Sequence, residues 1–162
     1  MGYKIEYLPI GLSVNARISR LNKTEIAAIN KSKRFHFNWN REIPYHVYQL
    51  KADGSNAVLG LISLDNRPRD YAIEIRLLAN SKENIGDGKV YDGIAGCLIA
   101  FACREAFKSG YDGFVCLKPK TDLIRHYQEK YGFLATNMYL ITEKENSLTI
   151  TERYYETEDN HC

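Results

Sequence analysis

The stretch Val90-Tyr91-Asp92-Gly93-Ile94-Ala95-Gly96 leads directly into the apolar segment Cys97-Leu98-Ile99-Ala100-Phe101-Ala102. A loop that ends in small residues and opens a helix gathers backbone N–H groups that have no acceptor inside the helix. With the positive end of the helix dipole, these donors favour binding of a phosphate or pyrophosphate. Gly93, Ala95 and Gly96 lack bulk, so a ligand can approach the backbone closely. Small residues here also serve close helix–sheet packing, and both interpretations are open at this point.

The composition predicts a single globular domain over residues 1–162. The chain has 162 residues, of which 44% are hydrophobic, which is enough to bury a core. Its 22 basic and 20 acidic side chains give a formal net charge of +2, so the charge does not favour nucleic acid as a partner. No apolar run resembles a signal peptide or approaches the length of a membrane span. We therefore expect a cytoplasmic protein that binds neither nucleic acid nor a membrane.

The four cysteines do not form a metal-binding pattern. Cys97, Cys103, Cys116 and Cys162 lack C-x-x-C spacing, and most of them lie in apolar segments. We expect reduced core thiols and no metal site. A nucleophilic thiol at Cys97 or Cys116 is an alternative, but apolar neighbours oppose the lowered thiol pKa that it needs.

The N-terminal half predicts strands and one short helix. Asn22-Lys23-Thr24-Glu25 has capping-box spacing, so a helix begins there. Strands are predicted at Tyr3–Leu12, Tyr45–Lys51, Ala57–Leu64 and Asp70–Ala79. On the last of these, simple alternation puts Ile73, Ile75 and Leu77 on one face and Glu74, Arg76 and Leu78 on the other.

The C-terminal half changes to helical periodicity. A strongly apolar helix is predicted over Gly93–Lys108, followed by a short apolar strand at Phe114–Leu117 that is covered on both faces. Thr121 is a candidate cap for a second helix that runs to Lys130 and is stopped by Gly132-Phe133. Met138–Thr142 and Leu148–Tyr155 are predicted to close the chain as an antiparallel pair.

This element order excludes two common phosphate-binding folds. A Rossmann site needs G-x-G-x-x-G near the start of several βαβ units, whereas only one parallel crossover is predicted here. A P-loop needs Gly-Lys-Ser/Thr after the loop, and this tripeptide does not follow it here.

The sequence resembles the GNAT acyltransferase superfamily. Members carry R/Q-x-x-G-x-G/A at the start of a central helix, where this motif holds the pyrophosphate of acyl-coenzyme A. Val90–Ala95 falls on the motif, and Leu98-Ile99 matches the apolar pair that follows it. Further on, the family has a helix with an aromatic residue near its end and then Gly-Phe, which matches the segment His126–Phe133. The resemblance covers roughly residues 45 to 155.

The resemblance implies an α+β, three-layer GNAT-like fold. Its central sheet is mixed and mostly antiparallel, with one splayed parallel pair and flanking helices. It also implies an N-acetyltransferase that uses acetyl-coenzyme A as acyl donor, without a metal, by direct attack of a primary amine in a ternary complex. The residues that would bind the donor are Leu77, Leu78, Ala79, Val90, Tyr91, Asp92, Gly93, Ile94, Ala95 and Gly96.

Two departures from the family pattern bear on the site. Val90 stands where the family usually has Arg or Gln, and Lys89 or Lys82 is a candidate to supply the missing charge. Tyr127 lies five residues before Gly132, whereas the family's tyrosine usually lies four before, the position that Gln128 takes here. The motif at Val90 therefore supports ligand binding more directly than it supports catalysis.

The resemblance also assigns catalytic roles. Tyr127 would protonate the departing sulfur, since a phenol with a pKa near 10 suits a thiolate. A backbone N–H among Leu77–Ala79 would polarise the thioester carbonyl. Glu74 would take the proton of the amine, directly or through water. The alternatives are that Tyr127 packs a helix end and that Glu74 pairs with Arg76 on a solvated strand face.

The acceptor is left open by the sequence. A small-molecule amine and a peptide amine both suit the near-neutral charge, and the aromatic residues Phe35, Phe37, Trp39 and Tyr45 could line its channel or simply form core. A homodimer is a further expectation, because the predicted terminal hairpin would expose an edge. The alternative function is a non-catalytic protein that keeps the fold and binds coenzyme A or another partner.

Overall fold

Residues 2–156 are described by a computed structural model, and Cys162 lies outside this range. The helices are α1 (Lys23–Ser32), α2 (Ile94–Lys108), α3 (Ile124–Tyr131) and α4 (Lys144–Tyr154). The strands are β1 (Gly2–Tyr7), β2 (Leu12–Arg20), β3 (His46–Ala52), β4 (Val58–Arg67), β5 (Ala72–Asn80), β6 (Tyr91–Asp92), β7 (Val115–Leu117), β8 (Leu134–Ala135), β9 (Leu140–Thr142) and β10 (Tyr155–Glu156).

One mixed sheet organises the structure. Its order is β10-β1-β2-β3-β4-β5-β7-β9-β8, and β6 pairs with β1 beside the main path. Every described pairing is antiparallel except the one between β5 and β7. The α+β prediction of a mostly antiparallel sheet with one parallel pair is confirmed. No helix in the range 2–156 has both the length and the apolar character needed to cross a bilayer.

Helices cover both faces of the sheet. Consecutive strand residues point to opposite sides, and apolar residues on each side form a core under the helices. On one face, α2 lies on β4 and β5 and is covered by α4, and its buried residues Leu98 and Ile99 belong to the main core. On the other face, α1 and the turn at Trp39–Glu42 cover a smaller core that includes Val47 and Leu61. This gives the expected three layers.

The capping box of α1 is present as predicted. The side chain of Asn22 accepts a hydrogen bond from Glu25 N at 2.8 Å, and the Glu25 carboxylate accepts one from Asn22 N at 3.0 Å. Thr121, in contrast, does not cap α3. It opens a short 3-10 turn at Thr121–Leu123, and α3 begins only at Ile124 without a side-chain cap.

The predicted strand Tyr3–Leu12 is two strands. Strand β1 ends at Tyr7, the chain turns at Gly11 with a φ of 62°, and β2 runs back beside β1. Pro9 cannot donate a ladder hydrogen bond, and the positive φ of Gly11 suits glycine, so the chain turns here.

The predicted terminal strand Leu148–Tyr155 is wrong, and most of it is helical. Polar and apolar residues alternate as in a strand over Leu148–Thr151, but α4 buries Ser147 and Ile150, which lie three residues apart on one helical face. Only the two-residue strand β10 follows, and it pairs with β1. The strand predicted at Met138–Thr142 is shortened to β9, which pairs with β7 and β8. The exposed hairpin that suggested a homodimer is therefore not formed.

Candidate functional site

A β-bulge in β5 shapes the centre of the molecule. Ser63 and Leu64 of β4 are neighbours in the chain, yet they pair with Leu77 and Ile75, so Arg76 is an extra residue in β5. Leu77 consequently packs into the core beneath α1, while Ile75 belongs to the core beneath α2. The prediction that Ile73, Ile75 and Leu77 share one face is therefore wrong beyond Ile75.

The two parallel strands separate next to this bulge. Ile75 and Leu117 form the last pair between β5 and β7. Beyond it, β5 bends at Arg76, and Pro119 follows β7 with no N–H to donate. The result is a gap between two strands of the same sheet.

Two adjoining cavities occupy this gap. The larger one has a volume of about 860 Å³ and extends from the end of β5 past the start of α2 to α3; the smaller one, of about 170 Å³, lies between the diverging strands. Leu78 and Tyr127 line both. The predicted site residues that line the larger cavity are Leu78, Ala79, Tyr91, Asp92, Gly93, Ile94, Ala95 and Tyr127.

The edge of β5 offers hydrogen bonds to the gap. Ser81 N donates to Leu59 O at 2.8 Å, so Ser81 faces β4, and by alternation the N–H and C=O groups of Leu78 and Asn80 point away from β4. The side chain of Asn80 adds an acceptor here. Its Nδ2 donates to Asn84 O at 3.4 Å, and its buried Oδ1 has no partner among residues 2–156.

The loop before α2 is held by the buried side chain of Asn84. Its Oδ1 accepts from Val90 N at 3.2 Å and from Tyr91 N at 2.9 Å. Val90 O accepts from Leu8 N, which continues the pairing of β6 with β1. Val90 therefore joins the sheet through its backbone, and it does not line either cavity.

The start of α2 presents backbone donors to the larger cavity. Gly93 takes a φ of 92°, which suits glycine, and no side chain caps the helix. The first-turn N–H groups at Ile94 and Ala95 therefore have no intrahelical acceptor, and both residues line the larger cavity. Gly96 has another role, because a Cβ there would lie 2.2 Å from Tyr154 Cζ. Gly96 allows α4 to pack closely and does not line the cavities.

The wall of the larger cavity carries more positive than negative charge. Lys89, Lys120 and Lys130 line it, together with a single acidic residue, Asp92. Lys89 Nζ lies 2.7 Å from Asp92 Oδ1, and this hydrogen bond lowers the pKa of the Asp92 carboxyl. Lys120 and Lys130 make no ion pair among residues 2–156, so their charge is available to an anion.

Tyr127 projects from α3 toward both cavities. Its ring lies edge-on to Phe133, with the centroids 5.7 Å apart, and burial raises the pKa of its phenol. Gln128, which occupies the family's usual tyrosine position, is exposed. The helix ends at Tyr131, and Gly132 follows it with a φ of 72°.

Glu74 lies apart from the two cavities. It precedes the bulge, its side chain is 13% exposed, and one carboxylate oxygen is 3.8 Å from Arg67 Nη1. It lines neither cavity, so the geometry does not bring it next to Tyr127. Leu77 lines only the smaller cavity.

Four residues of the site, Asn80, Asn84, Arg76 and Glu42, have no recognisable signal in the sequence. A polar residue after a strand and a Glu beside an aromatic segment are common, so their spacing gave no signal. The bulge brings Arg76 to the gap, Asn80 and Asn84 line the larger cavity, and Glu42 reaches Arg76 from the turn at Trp39–Glu42.

The cysteines of the described range are unsuited to nucleophilic chemistry. Cys97, Cys103 and Cys116 are free and buried. Burial raises the pKa of Cys97 and of Cys103 to about 12 and that of Cys116 to about 11, so each is a neutral thiol near pH 7. Residues 2–156 contain no cluster of three or more His, Cys, Asp or Glu side chains that could hold a metal ion.

Comparison with solved structures identifies the architecture. The chain is similar to the spermidine/spermine N-acetyltransferase SpeG from Vibrio cholerae (TM-score 0.61, 13% identity, 83% of this chain and 96% of that chain covered). It is also similar to PaiA N-acetyltransferase from Thermoplasma acidophilum in complex with coenzyme A (0.56, 15%, 80% and 98%) and to IAA acetyltransferase from Bacillus cereus ATCC 14579 (0.54, 18%, 80% and 99%). No protein-family model and no curated protein sequence matches the chain. The likeness therefore lies in the fold.

Proposed function

We propose that this chain, which has the fold of the GNAT acetyltransferases, transfers an acetyl group from acetyl-coenzyme A to a primary amine. One observation carries the proposal. The gap between β5 and β7 holds a cavity that touches a strand edge, an uncapped helix start and a partly buried tyrosine. These three features supply what a thioester donor requires, namely amide pairing, an anion site and an acid.

The described residues fit the donor along its length. The start of α2, with Gly93, Ile94 and Ala95, would receive the pyrophosphate, and Lys120 and Lys130 would offset its charge. The amides of the pantetheine arm would pair with the free edge of β5, and the unpartnered Oδ1 of Asn80 would accept one of their N–H groups. Lys89 supplies charge at the position next to Val90, although it is already paired with Asp92.

The transfer would proceed by direct attack. The amine nitrogen bonds to the thioester carbonyl carbon, the carbon–sulfur bond breaks, and the sulfur takes a proton from Tyr127. The N–H of Leu78 would polarise the carbonyl, because it points into the gap. Glu74 would take the amine proton. Because Glu74 lines neither cavity, a water molecule would carry the proton to it.

Release of free coenzyme A thiol, measured against a panel of amines, tests the proposal. Tyr127→Phe is expected to lower kcat by about 100-fold or more, as for loss of a general acid. The control is Gln128→Ala on the same helix, whose side chain is exposed and whose rate is expected to be unchanged. Because burial raises the pKa of Tyr127 above its ordinary value near 10, the rate should not fall with rising pH below about pH 10.

The same assay separates the alternative function. The backbone role of Val90 and the distance of Glu74 from the cavities suit a protein that binds coenzyme A without turning it over. Binding of coenzyme A without thiol release for any amine would support that alternative. An undiminished rate in Tyr127→Phe would exclude Tyr127 as the acid.

A further inference from the structure

A second polar cluster lies beside the smaller cavity, on the sheet face opposite α2. Its centre is Glu42, whose side chain is only 5% exposed. One oxygen of Glu42 accepts from Arg76 Nε and from Ser63 Oγ, each at 2.8 Å. A buried carboxylate is costly unless it is paired and hydrogen-bonded, so this arrangement holds Arg76 firmly.

The guanidinium of Arg76 is fixed from two sides. Glu42 holds its Nε, and the ring of Tyr45 lies 3.7 Å from its central carbon. Its two Nη groups make no hydrogen bond among residues 2–156, and the side chain is 31% exposed. A planar group of this kind presents two parallel N–H donors, which is the geometry that binds a carboxylate in bidentate fashion.

The surroundings of Arg76 favour an anion. Arg76 lines the smaller cavity, and the other charged residues of that wall, Lys118 and Lys120, are also cations. Tyr127 lines the same cavity. A positively charged group therefore stands close to the place where, under the proposed function, the acetyl group is transferred. Glu74, two residues before Arg76 in β5, has one carboxylate oxygen 3.8 Å from Arg67 Nη1 and also attracts Arg76 electrostatically.

We infer that the acceptor is a small primary amine that also carries a carboxylate, and that Arg76 binds this carboxylate. The inference rests on the proposed acetyl transfer and adds the acceptor class. Arg76 determines specificity, and it takes no part in the chemical step. The cationic wall also disfavours polyamines, whose positive charges it would repel.

Matched acceptors test the inference. Thiol release is measured with L-amino acids and with their carboxamides, which keep the amine and lose the negative charge. The native protein should prefer the acids by about 10- to 100-fold in kcat/KM, the range of a charge-assisted hydrogen bond. Arg76→Gln should abolish the preference by raising KM for the acids, with little change for the carboxamides. Arg76→Lys should restore part of it.

Two controls keep the result interpretable. Arg76→Gln leaves Glu42 buried without its cation, so the double variant Glu42→Gln with Arg76→Gln is measured as well, and thermal unfolding shows that each protein is folded. Arg69→Gln removes an exposed arginine near the start of β5 and should leave the preference intact.

The outcomes distinguish the two proposals. Equal rates for acids and carboxamides, or a preference that persists in folded Arg76→Gln protein, overturn the carboxylate inference and leave acetyl transfer standing. Absence of thiol release with every acceptor overturns both.

Discussion

Gly60 sets how closely α2 approaches the sheet. It lies in β4, and a Cβ built there would meet Ile94 Cγ2 at 2.5 Å and Leu98 Cδ1 at 2.9 Å. Ile94 is 1% exposed and Leu98 is fully buried, so neither side chain can swing into solvent. Because Ile94 is the first residue of α2, this contact also determines how far the backbone N–H donors at the start of α2 lie from the sheet.

Gly60→Ala is therefore expected to lower the free energy of unfolding by about 1–3 kcal/mol, as overpacking of a core does. For a chain of this size, each kcal/mol corresponds to a fall in Tm of about 2–4 °C. Thermal unfolding followed by circular dichroism measures this change. Gly88→Ala is the matched control, because a Cβ at Gly88 meets nothing within 4 Å. Equal Tm values for the two variants would contradict the packing argument.

Among the helices and strands, the helix starts that depend on local residues could be predicted from the sequence. Small residues before a strongly apolar segment marked the start of α2, and the capping-box spacing marked that of α1. Helix α4 was missed because Leu148–Thr151 alternates like a strand, whereas its burial of Ser147 and Ile150 depends on α2, which is distant in sequence. Neither a glycine nor a proline marks the bulge at Arg76, so its position follows only from the register between β4 and β5.

The loop between β5 and α2 depends on a single side chain. Asn84 is 1% exposed, and besides the two amides of the loop it binds Ser81 Oγ through its Nδ2 at 2.8 Å. Replacing it leaves the N–H groups of Val90 and Tyr91 without their acceptor. An unsatisfied buried donor costs about 1–3 kcal/mol.

Asn84→Ala should consequently weaken coenzyme A binding at least about tenfold. Without the acceptor at Asn84 the loop must be reordered on binding, and a cost of about 1.4 kcal/mol corresponds to a tenfold loss of affinity. Titration calorimetry with coenzyme A measures the effect. Ser81→Ala removes the hydroxyl that accepts from the Asn84 amide but leaves the acceptor of the two loop N–H groups in place, so it should weaken binding less. Unchanged affinity in Asn84→Ala would show that the loop keeps its shape without this side chain.

For the whole molecule, the net charge conceals an uneven distribution. The chain carries a formal charge of only +2, yet the larger cavity has three lysines and one acidic residue in its wall. Composition therefore gave no sign of a polyanionic ligand, because the field that matters is set by which side chains the fold brings to the gap. Such a local field attracts an anion and weakens as added salt screens it.

Coenzyme A should therefore stabilise the folded protein, and its phosphates should supply much of the effect. A ligand at 100 times its Kd adds about 2.7 kcal/mol to the free energy of unfolding, which for a chain of this size raises Tm by about 5–11 °C. Pantetheine, which carries the same arm without the phosphates and the adenosine, should raise Tm less at the same concentration. Added salt should reduce the shift given by coenzyme A and leave that given by pantetheine nearly unchanged, because only the former depends on the lysines. Equal shifts for the two ligands would place the recognition in the edge of β5 alone and leave the start of α2 without a role in binding.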